Sequence, residues 1–372
     1  MRATGSHDAS LHVELIGAAQ LEHAAEVWAA LERANPTAPL VCRWAWTDVW
    51  LTHYGDSLPH RFAIVRRDGE PVAAALLVSG RARRSRITLT RLYLGTAGGP
   101  QEEEVAVERN GLLCAESDRP PAASALVARL RRERGFSELR LDGWLPVHYA
   151  AFAAAEPSLV ARSEPSPMVD LAQARASGSD VLATLPGKTP YHVRRSLRLY
   201  GDVSSEWART PEHAHDIFEE LVSLHQARWR AAGEPGAFAS PRRLGFARDL
   251  IDRLLVTDEI QLFRVRSATE TIGCLYNVRD ADDMLFWQGG LAQASDNRRK
   301  PGFLTHVECM QACSDRGLDV YDLLCGDAPY KRALSTGERE LIWARGMRRG
   351  PRAALSEGLH SARRLLPGRS SP

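Results

Sequence analysis

The stretch FWQGGLAQASDNRRKPGFL, residues 286–304, decides the fold. Its apolar and aromatic start ends in two glycines, which is typical of a strand end. A loop with three consecutive basic residues (298–300) follows, and Pro301 and Gly302 open a run with helical spacing. A helix N-terminus has free backbone N–H groups, and together with positive side chains it suits a pyrophosphate. The stretch therefore predicts an anion-binding loop between a strand and a helix.

The C-terminal half around this loop has the order strand, two helices, three strands, helix, strand. Ser or Thr followed by Pro, at 210–211 and 240–241, is an N-cap and N1 pair that opens each of the two helices. The first strand is 202–208, and the segments after the two helices, with short polar turns between the three strands, are 258–266, 271–279, 283–290, 302–315 and 318–324. The three strands read as an antiparallel meander.

The N-terminal half repeats this order. Residues 67–78 are similar to 267–278, and residues 134–143 are similar to 316–326. Two similar units on one chain are the simplest explanation, the alternative being two unrelated mixed α/β domains with the same order by chance. We therefore predict a mixed α/β fold with mostly antiparallel sheets. The predicted parts are an N-terminal unit at 1–170, a C-terminal unit at 171–350 and a basic flexible tail at 351–372.

The two units differ at the anion loop. The N-terminal copy has a much longer segment there, with three glutamates in a row, Glu102, Glu103 and Glu104. Like charges at this place would repel an anion. The anion site is therefore expected in the C-terminal unit alone.

Composition sets the broad class. The chain has 372 residues, of which 44% are hydrophobic and 25% charged, so it can bury a sizeable core as a soluble globular protein. The net charge of +2 argues against a protein that coats nucleic acid. Its apolar runs are too short to cross a bilayer, and its first ten residues do not read as a signal peptide, which predicts a cytoplasmic protein without membrane insertion. The six cysteines show no paired spacing and are expected to be reduced thiols.

Lysine is rare in this chain. Only Lys188, Lys300 and Lys331 occur among 48 basic residues, so a lysine that persists is worth attention. A compact ammonium with rotatable donors fits a tight site that a planar guanidinium does not. Lys331 follows the last strand of the C-terminal unit, in YDLLCGDAPYKRAL, whereas the matching part of the N-terminal unit has no lysine.

The element order resembles the GNAT acyltransferase fold. That superfamily holds the pyrophosphate of acyl-CoA on a loop written Q/R-x-x-G-x-G/A, and Arg299, Gly302 and Leu304 occupy its three marked positions, Leu304 departing from the pattern. The longer stretches 38–56, 224–241, 286–304 and 317–334 resemble the CelD/BcsL-type branch of GNAT proteins. This branch is related to the FemABX aminoacyltransferases, which pair two GNAT units and end in an aromatic–Lys signature like Tyr330–Lys331.

The resemblance implies transfer of an acyl group from acyl-CoA to an amine. Tyr330 would protonate the departing thiolate, and Asp322 or His225 would act as the base. Backbone groups near Gln288 and Gly289 would hold the oxyanion or the pantetheine arm. The pyrophosphate contacts would come from Arg298, Arg299, Lys300, Gly302 and Phe303.

The FemABX relationship implies a second donor, an aminoacyl-tRNA. Lys331 would then stabilise the charge that develops on the ester carbonyl or hold the terminal phosphate of the donor. Arg194 and Arg195, in the basic segment 191–200, would bind a phosphate of RNA or of a nucleotide-linked substrate, although such a run is also typical of a solvated helix face.

Further candidates concern the acceptor and a metal. Trp46, Arg228, Trp229 and Tyr321 are expected at the acceptor, which we take to be a small molecule, saccharide or natural-product precursor. His306, Cys309 and Cys313 share a helix face, but a fourth ligand is missing and the prediction is core packing without a metal. The sequence also leaves open a third function, a non-catalytic scaffold in polysaccharide or natural-product assembly. DNA is not expected as a partner.

Overall fold

The computed structural model describes residues 11–84, 87–100 and 103–347. Its strands and helices form two copies of one order, which confirms the predicted repeat and the mixed α/β class. The N-terminal copy contains β1 (Leu11–Ile16), α1 (Leu21–Ala34), α2 (Trp44–Tyr54), β2 (His60–Arg67), β3 (Glu70–Arg84), β4 (Ile87–Leu94), β5 (Leu113–Cys114), α3 (Arg119–Arg132), β6 (Glu138–Trp144), α4 (Pro146–Ala155) and β7 (Val160–Asp170).

Three helices connect the copies: α5 (Leu171–Ala176), α6 (Val181–Thr184) and α7 (Thr189–Tyr200). The C-terminal copy contains β8 (Val203–Trp207), α8 (Pro211–Ala231), α9 (Pro241–Leu254), β9 (Ile260–Ser267), β10 (Thr271–Asp280), β11 (Asp283–Leu291), α10 (Pro301–Asp315), β12 (Val320–Asp322), α11 (Pro329–Leu334) and β13 (Gly337–Met347). Short 3-10 helices lie at Ala18–Gln20, Leu40–Cys42 and Ala237–Ala239. The predicted N-caps of α8 and α9 are present, since the Thr210 and Ser240 hydroxyls accept backbone N–H groups of the first turn.

The described strands join into one sheet that runs through both copies. Its order is β1-β2-β3-β4-β6-β13-β7-β12-β11-β10-β9-β8, with β5 beside β3. The last strand of each copy lies in the other copy, because β13 pairs with β6 and β7 pairs with β12. Strand pairing therefore crosses residue 170, and the boundary between the units at that residue stays a prediction.

Parallel pairing occurs twice in this sheet, at equivalent places. β4 and β6 pair over three residues, and β11 and β12 pair over Asp283–Leu285 and Val320–Asp322. Beyond these pairs the two strands separate, so each copy has a gap in its sheet. In a gap of this kind, backbone N–H and C=O groups of the strand edges need other partners.

The N-terminal gap is closed by the chain itself. Asn110 is buried, and its side-chain amide donates to the carbonyls of Leu94 on β4 and Asp142 on β6. The corresponding gap in the C-terminal copy stays open. Only one of the two copies thus offers a cleft at this position.

Gly143 on β6 allows the segment that carries Asn110 to pack closely. A Cβ atom on Gly143 would lie 2.0 Å from the Val107 carbonyl oxygen, and its φ of 66° is in the left-handed region. Gly143→Ala should therefore lower the free energy of unfolding by about 3 kcal/mol. Urea unfolding measures this, and Gly17→Ala, which meets no atom within 4 Å, is the matched control with an expected change within about 0.5 kcal/mol. Equal effects of the two changes would contradict the close packing.

Candidate active site

The open gap between β11 and β12 forms a cleft of about 750 Å³. Residues from both copies line it, including Ala106 and Glu108 from the N-terminal copy. Of the residues predicted from sequence, those that line the cleft are His225, Arg228, Trp229, Gln288, Gly289, Lys300, Gly302, Phe303, Tyr330 and Lys331. The cleft is large enough for a small ligand with a polar head.

Lys331 lies in the wall of the cleft with its ammonium held by backbone. Its Nζ donates to the carbonyl oxygens of Leu324 at 2.9 Å and Cys325 at 2.7 Å. Burial lowers the pKa of Lys331, and the nearby carboxylate of Glu108 opposes this shift. Two N–H groups of the ammonium are used in this way, so the third remains for an oxygen of a bound substrate.

Asp322 builds the turn that supplies these carbonyls. Its Oδ1 accepts the N–H of Leu324 at 2.8 Å and the hydroxyl of Ser166 at 2.6 Å. Leu324 has a φ of 59°, an uncommon conformation for leucine, which this hydrogen bond helps to hold. Burial raises the pKa of Asp322. Its carboxylate is buried behind the turn and does not line the cleft, so it supports Lys331 rather than reaching an amine in the cleft.

Glu108 is the carboxylate that does line the cleft. It comes from the long segment of the N-terminal copy, and its Oε2 accepts the N–H of Cys325 at 2.7 Å. Burial raises the pKa of Glu108, while the N–H of Cys325 and the Lys331 ammonium oppose this shift. A carboxylate with a raised pKa beside a cation is a suitable general base.

Tyr330 is positioned by a stack of aromatic rings. Its ring stacks on His306 with a centroid distance of 5.9 Å, and His306 meets Phe286 edge to face at 4.5 Å. His306 is buried and hydrogen-bonded through Nδ1 to the Tyr321 hydroxyl, and burial lowers its pKa to about 3. Burial raises the pKa of Tyr330, so its phenol keeps its proton at neutral pH.

Both ring nitrogens of His225 are occupied. The N–H of Ala237 donates to Nε2 at 3.1 Å, so Nδ1 carries the proton and donates to the Gly289 carbonyl, also at 3.1 Å. Burial lowers the pKa of His225, which keeps the ring neutral. This arrangement fixes Gly289 on the exposed edge of β11 and leaves no nitrogen of His225 free to accept a proton.

The predicted anion loop is partly occupied by its own chain. Arg299 pairs with Glu270 at 2.9 Å and lies over the Tyr200 ring, and Arg298 pairs with Asp296 on the surface. Neither arginine lines the cleft. Of the three basic residues, Lys300 alone lines the cleft, but its backbone N–H already donates to the Ser196 hydroxyl of α7 at 2.9 Å.

Leu304 departs from the loop pattern without blocking the loop. Its side chain is fully buried in the core between α10 and the sheet. The backbone N–H groups of Gly302 and Phe303 are in the first turn of α10, where a helix has no internal acceptor for them.

Arg194 and Arg195 lie on α7, outside the cleft but against its Lys300 end. Arg194 is exposed, whereas Arg195 is partly buried over the Tyr191 ring. Lys188, Arg195 and Lys300 all help to lower the pKa of His192, after burial, which places these cations close together.

Two predicted acceptor contacts do not reach the cleft. Trp46 is buried where α2 packs on α9, with its indole N–H donated to Thr96 and its ring 5.2 Å from Phe246. Tyr321 is fully buried against His306. Trp46 belongs to the core cluster that contains residues of both copies, and Tyr321 belongs to the core cluster that contains α10. The predictions on Glu102 and the 351–372 tail lie outside the described residues.

In the part of the chain that the structure describes, no three His, Cys, Asp or Glu side chains are grouped as metal ligands. Cys309 and Cys313 are fully buried in the core. In the same part, no helix has the length and apolar character needed to cross a membrane.

Sequence reasoning missed Glu108 and Arg243, which both line the cleft. The unusual length of the segment that carries Glu108 was the available signal, since a long insertion next to a site is often functional. Arg243 is one of many arginines in the chain, and only its position at the start of α9 distinguishes it.

Residues 187–332 match the family model described as acetyltransferase (GNAT) domain. This range contains β11, β12, the cleft loop and Lys331. No curated protein matches the chain.

Several solved structures share the fold of the whole chain. A crystal structure of FemX is 12% identical, with a TM-score of 0.56 over 94% of this chain and 99% of that one. L-PGS from Bacillus licheniformis is 12% identical, with a TM-score of 0.52 over 92% and 97%. A protein of unknown function from Bacteroides thetaiotaomicron is 11% identical, with a TM-score of 0.53 over 91% and 100%. Identities this low concern the fold alone. The match over residues 187–332 thus supports an acyltransferase activity, and the chain as a whole shares the fold of these solved structures.

Proposed function

We propose that the chain transfers an acyl group to the amine of a small molecule, saccharide or natural-product precursor, with Lys331 stabilising the oxyanion. The observation that carries this proposal is the ammonium of Lys331, anchored by two carbonyls beside the open edge of β11 with one N–H group left over. A fixed, partly buried cation lowers the energy of charge that develops on a carbonyl oxygen. The acetyltransferase domain favours this over the non-catalytic scaffold.

In the proposed step, the acceptor nitrogen attacks the carbonyl carbon of the donor. A C–N bond forms, the carbonyl oxygen takes up negative charge near Lys331, and Glu108 accepts a proton from the nitrogen. The intermediate then collapses, the bond from carbon to the leaving oxygen or sulfur breaks, and Tyr330 supplies a proton to the leaving group. His225 and Asp322 take positioning roles in this scheme.

We infer that the donor is an ester of the aminoacyl-tRNA type. Tyr191, Arg194 and Arg198 are exposed on α7, which contains no acidic residue, and Lys188 is exposed directly before the helix. Within the described chain, no carboxylate pairs with Lys188, Arg194 or Arg198. A cationic helix face with an exposed aromatic ring suits the phosphates and bases of a single-stranded RNA end. The occupied loop at Arg299 and Lys300 leaves less of a cradle for the pyrophosphate of CoA.

Acyl-CoA remains the second candidate, and two observations favour it. The family model is that of an acetyltransferase, and beyond Leu285 β11 no longer pairs with β12, which leaves room along this edge for a pantetheine arm. The first turn of α10, with Gly302 and Phe303, would then bind the pyrophosphate together with Lys300. A cytoplasmic location, where both kinds of donor are found, is part of the proposal.

The donors can be separated without knowledge of the acceptor. Hydroxylamine serves as a small amine, and acyl hydroxamate formation is measured with mixed aminoacyl-tRNAs or with acetyl-CoA, each against a Lys331→Met control. Formation that depends on Lys331 with charged tRNA, and that ribonuclease abolishes, supports the aminoacyl donor. If hydroxamate formation depends on Lys331 only with acetyl-CoA, the donor is CoA and the aminoacyl donor is wrong. If it depends on Lys331 with neither donor, the proposed chemistry is wrong.

The α7 face gives a further prediction. The double change of Arg194 and Arg198 to Gln should weaken charged-tRNA binding about 10-fold or more and reduce the slope of log Kd against log salt by about 2. Arg332→Gln, which removes an exposed arginine that pairs with Asp327 outside α7, is the control. Salt titrations by filter binding measure both quantities, and an unchanged slope would show that RNA does not bind this face.

A further inference from the structure

Arg243 is a partly buried cation without a counter-ion. It lines the cleft from the first turn of α9, and its guanidinium makes no hydrogen bond or ion pair with the described residues. Other sheltered arginines are neutralised: Arg109 pairs with Asp280 and Asp283, and Arg264 pairs with Glu206, Asp216 and Glu220. Withdrawing a charge from water without a partner costs free energy.

The acidic groups nearest to Arg243 are used elsewhere. Its surroundings include Tyr54 and Glu104, which raise its pKa slightly against the larger lowering by burial. The hydroxyl of Tyr54 donates to the Glu103 carbonyl at 2.6 Å, and Glu104 accepts the N–H of Gly98 at 2.9 Å. The neighbouring Arg242, in contrast, pairs with Glu103 at 3.0 Å. The charge of Arg243 is thus left for something that enters the cleft.

Arg228 is a second free cation at the same end of the cleft. It lies on the last turns of α8, is exposed, and has no carboxylate partner among the described residues. Arg228 and Arg243 both help to lower the pKa of His225, after burial, so they flank the same ring. Lys300 belongs to a different set of cations, the one around His192. The cleft therefore has two positive ends, with Lys331 and Glu108 as a separate pair.

We propose that Arg228 and Arg243 form a subsite for an oxyanion, a carboxylate or a phosphate, carried by the acceptor. The assignment to the acceptor rests on the proposed function, in which the Lys300 end takes the donor. Guanidinium groups bind both kinds of oxyanion in a bidentate manner, which gives orientation as well as affinity. Trp229 and Trp287, which also line the cleft, would cover the apolar body next to the anion.

The test uses simple anions and needs no turnover. Thermal unfolding is followed with inorganic phosphate or with glutarate at constant ionic strength, sodium chloride being the reference. A filled subsite should raise the Tm of the wild type by about 2 °C or more at saturating anion. A rise in Tm with phosphate alone, or with glutarate alone, identifies the kind of oxyanion that the subsite binds.

Variants locate the effect. The shift should be lost in Arg243→Gln and reduced in Arg228→Gln, and it should persist in Arg248→Gln, which removes an equal charge from the outer face of α9, where Arg248 pairs with Glu219. Without anion, Arg243→Gln should unfold at the wild-type temperature or above it, because no hydrogen bond or ion pair of the described residues is lost. The proposal is overturned if neither anion raises the Tm of the wild type, or if Arg243→Gln keeps the shift. It is also overturned if only Lys300→Gln loses the shift, or if Arg243→Gln without anion unfolds several degrees below the wild type. Inactivity of the enzyme in acyl transfer would leave these outcomes unaffected.

Discussion

Replacement of Lys331 by methionine is expected to lower the rate of acyl transfer about 100- to 1,000-fold. Methionine keeps most of the side-chain volume but removes the charge and all three donors. The transition state would then develop its negative oxygen without a cation nearby, while substrates would still fit the cleft. The loss should therefore appear in kcat, with a small change in KM. Single-turnover measurements on the hydroxylamine reaction give the rate of acyl transfer for the wild type and the variant.

Lys331→Arg should not rescue the rate. The ammonium is held between the carbonyls of Leu324 and Cys325, and a Cβ atom on Gly326 would already lie 3.4 Å from Nζ. A guanidinium is wider and would have to leave these carbonyls or displace the turn. Arg332→Met is the control, since Arg332 is exposed on the same short helix and pairs with Asp327 on the surface. Full activity of Lys331→Arg would show that any positive charge suffices and that the compact ammonium is not the reason for the lysine.

Glu108→Gln should lower the rate about 100-fold or more and remove the rise of the rate with pH. The carboxylate must be ionised to accept a proton, so the wild-type rate rises as the pH passes upward through the pKa of Glu108. Burial raises that pKa above the usual range for glutamate, which moves the rise toward neutral pH. Glutamine cannot take part in the transfer, and the remaining rate should be flat over the same range. A pH profile of kcat/KM measures the difference.

The fold should tolerate Glu108→Gln. A carboxylate whose pKa is raised in the folded state adds stability below its unfolded pKa and loses it as the pH rises through the folded pKa. The neutral glutamine avoids this loss and can still accept the N–H of Cys325. Glu103→Gln, in the same segment but outside the cleft, is the control for surface charge and should keep the pH profile. An unchanged profile in Glu108→Gln would assign the base to another group or to water.

Most of the fold could be predicted from the sequence because its strands and helices have clear periodicity and caps. The two strands that exchange between the copies could not. β7 contains Pro165 and Pro167, and proline usually excludes a segment from the middle of a sheet. The Pro167 carbonyl faces β12 and accepts the N–H of Leu323. The proline nitrogen faces the same side, beyond the last paired residues of β12, so no ladder partner needs its missing N–H.

The candidate site was predicted in part. Sequence reasoning located the loop and Lys331, which are local motifs of one copy. It gave Asp322 and His225, both in the C-terminal unit, as the candidates for the base. Glu108 is more than 200 residues from Lys331 in the chain and meets it only because the sheet is continuous through both copies. Contacts between residues so far apart in the chain cannot be predicted from the local spacing of residues.

The exchange of β7 and β13 also constrains how the protein is made. β13 fills the place between β6 and β7, so while a ribosome synthesises the chain this place stays vacant until residues 337–347 emerge. Two strands with unpaired edges are exposed during that time, and such edges are prone to pair with other chains. The N-terminal copy, which has lost its cleft, must therefore persist in an incomplete state for most of synthesis. We expect this delay to be measurable as chaperone binding to nascent chains that end before residue 337.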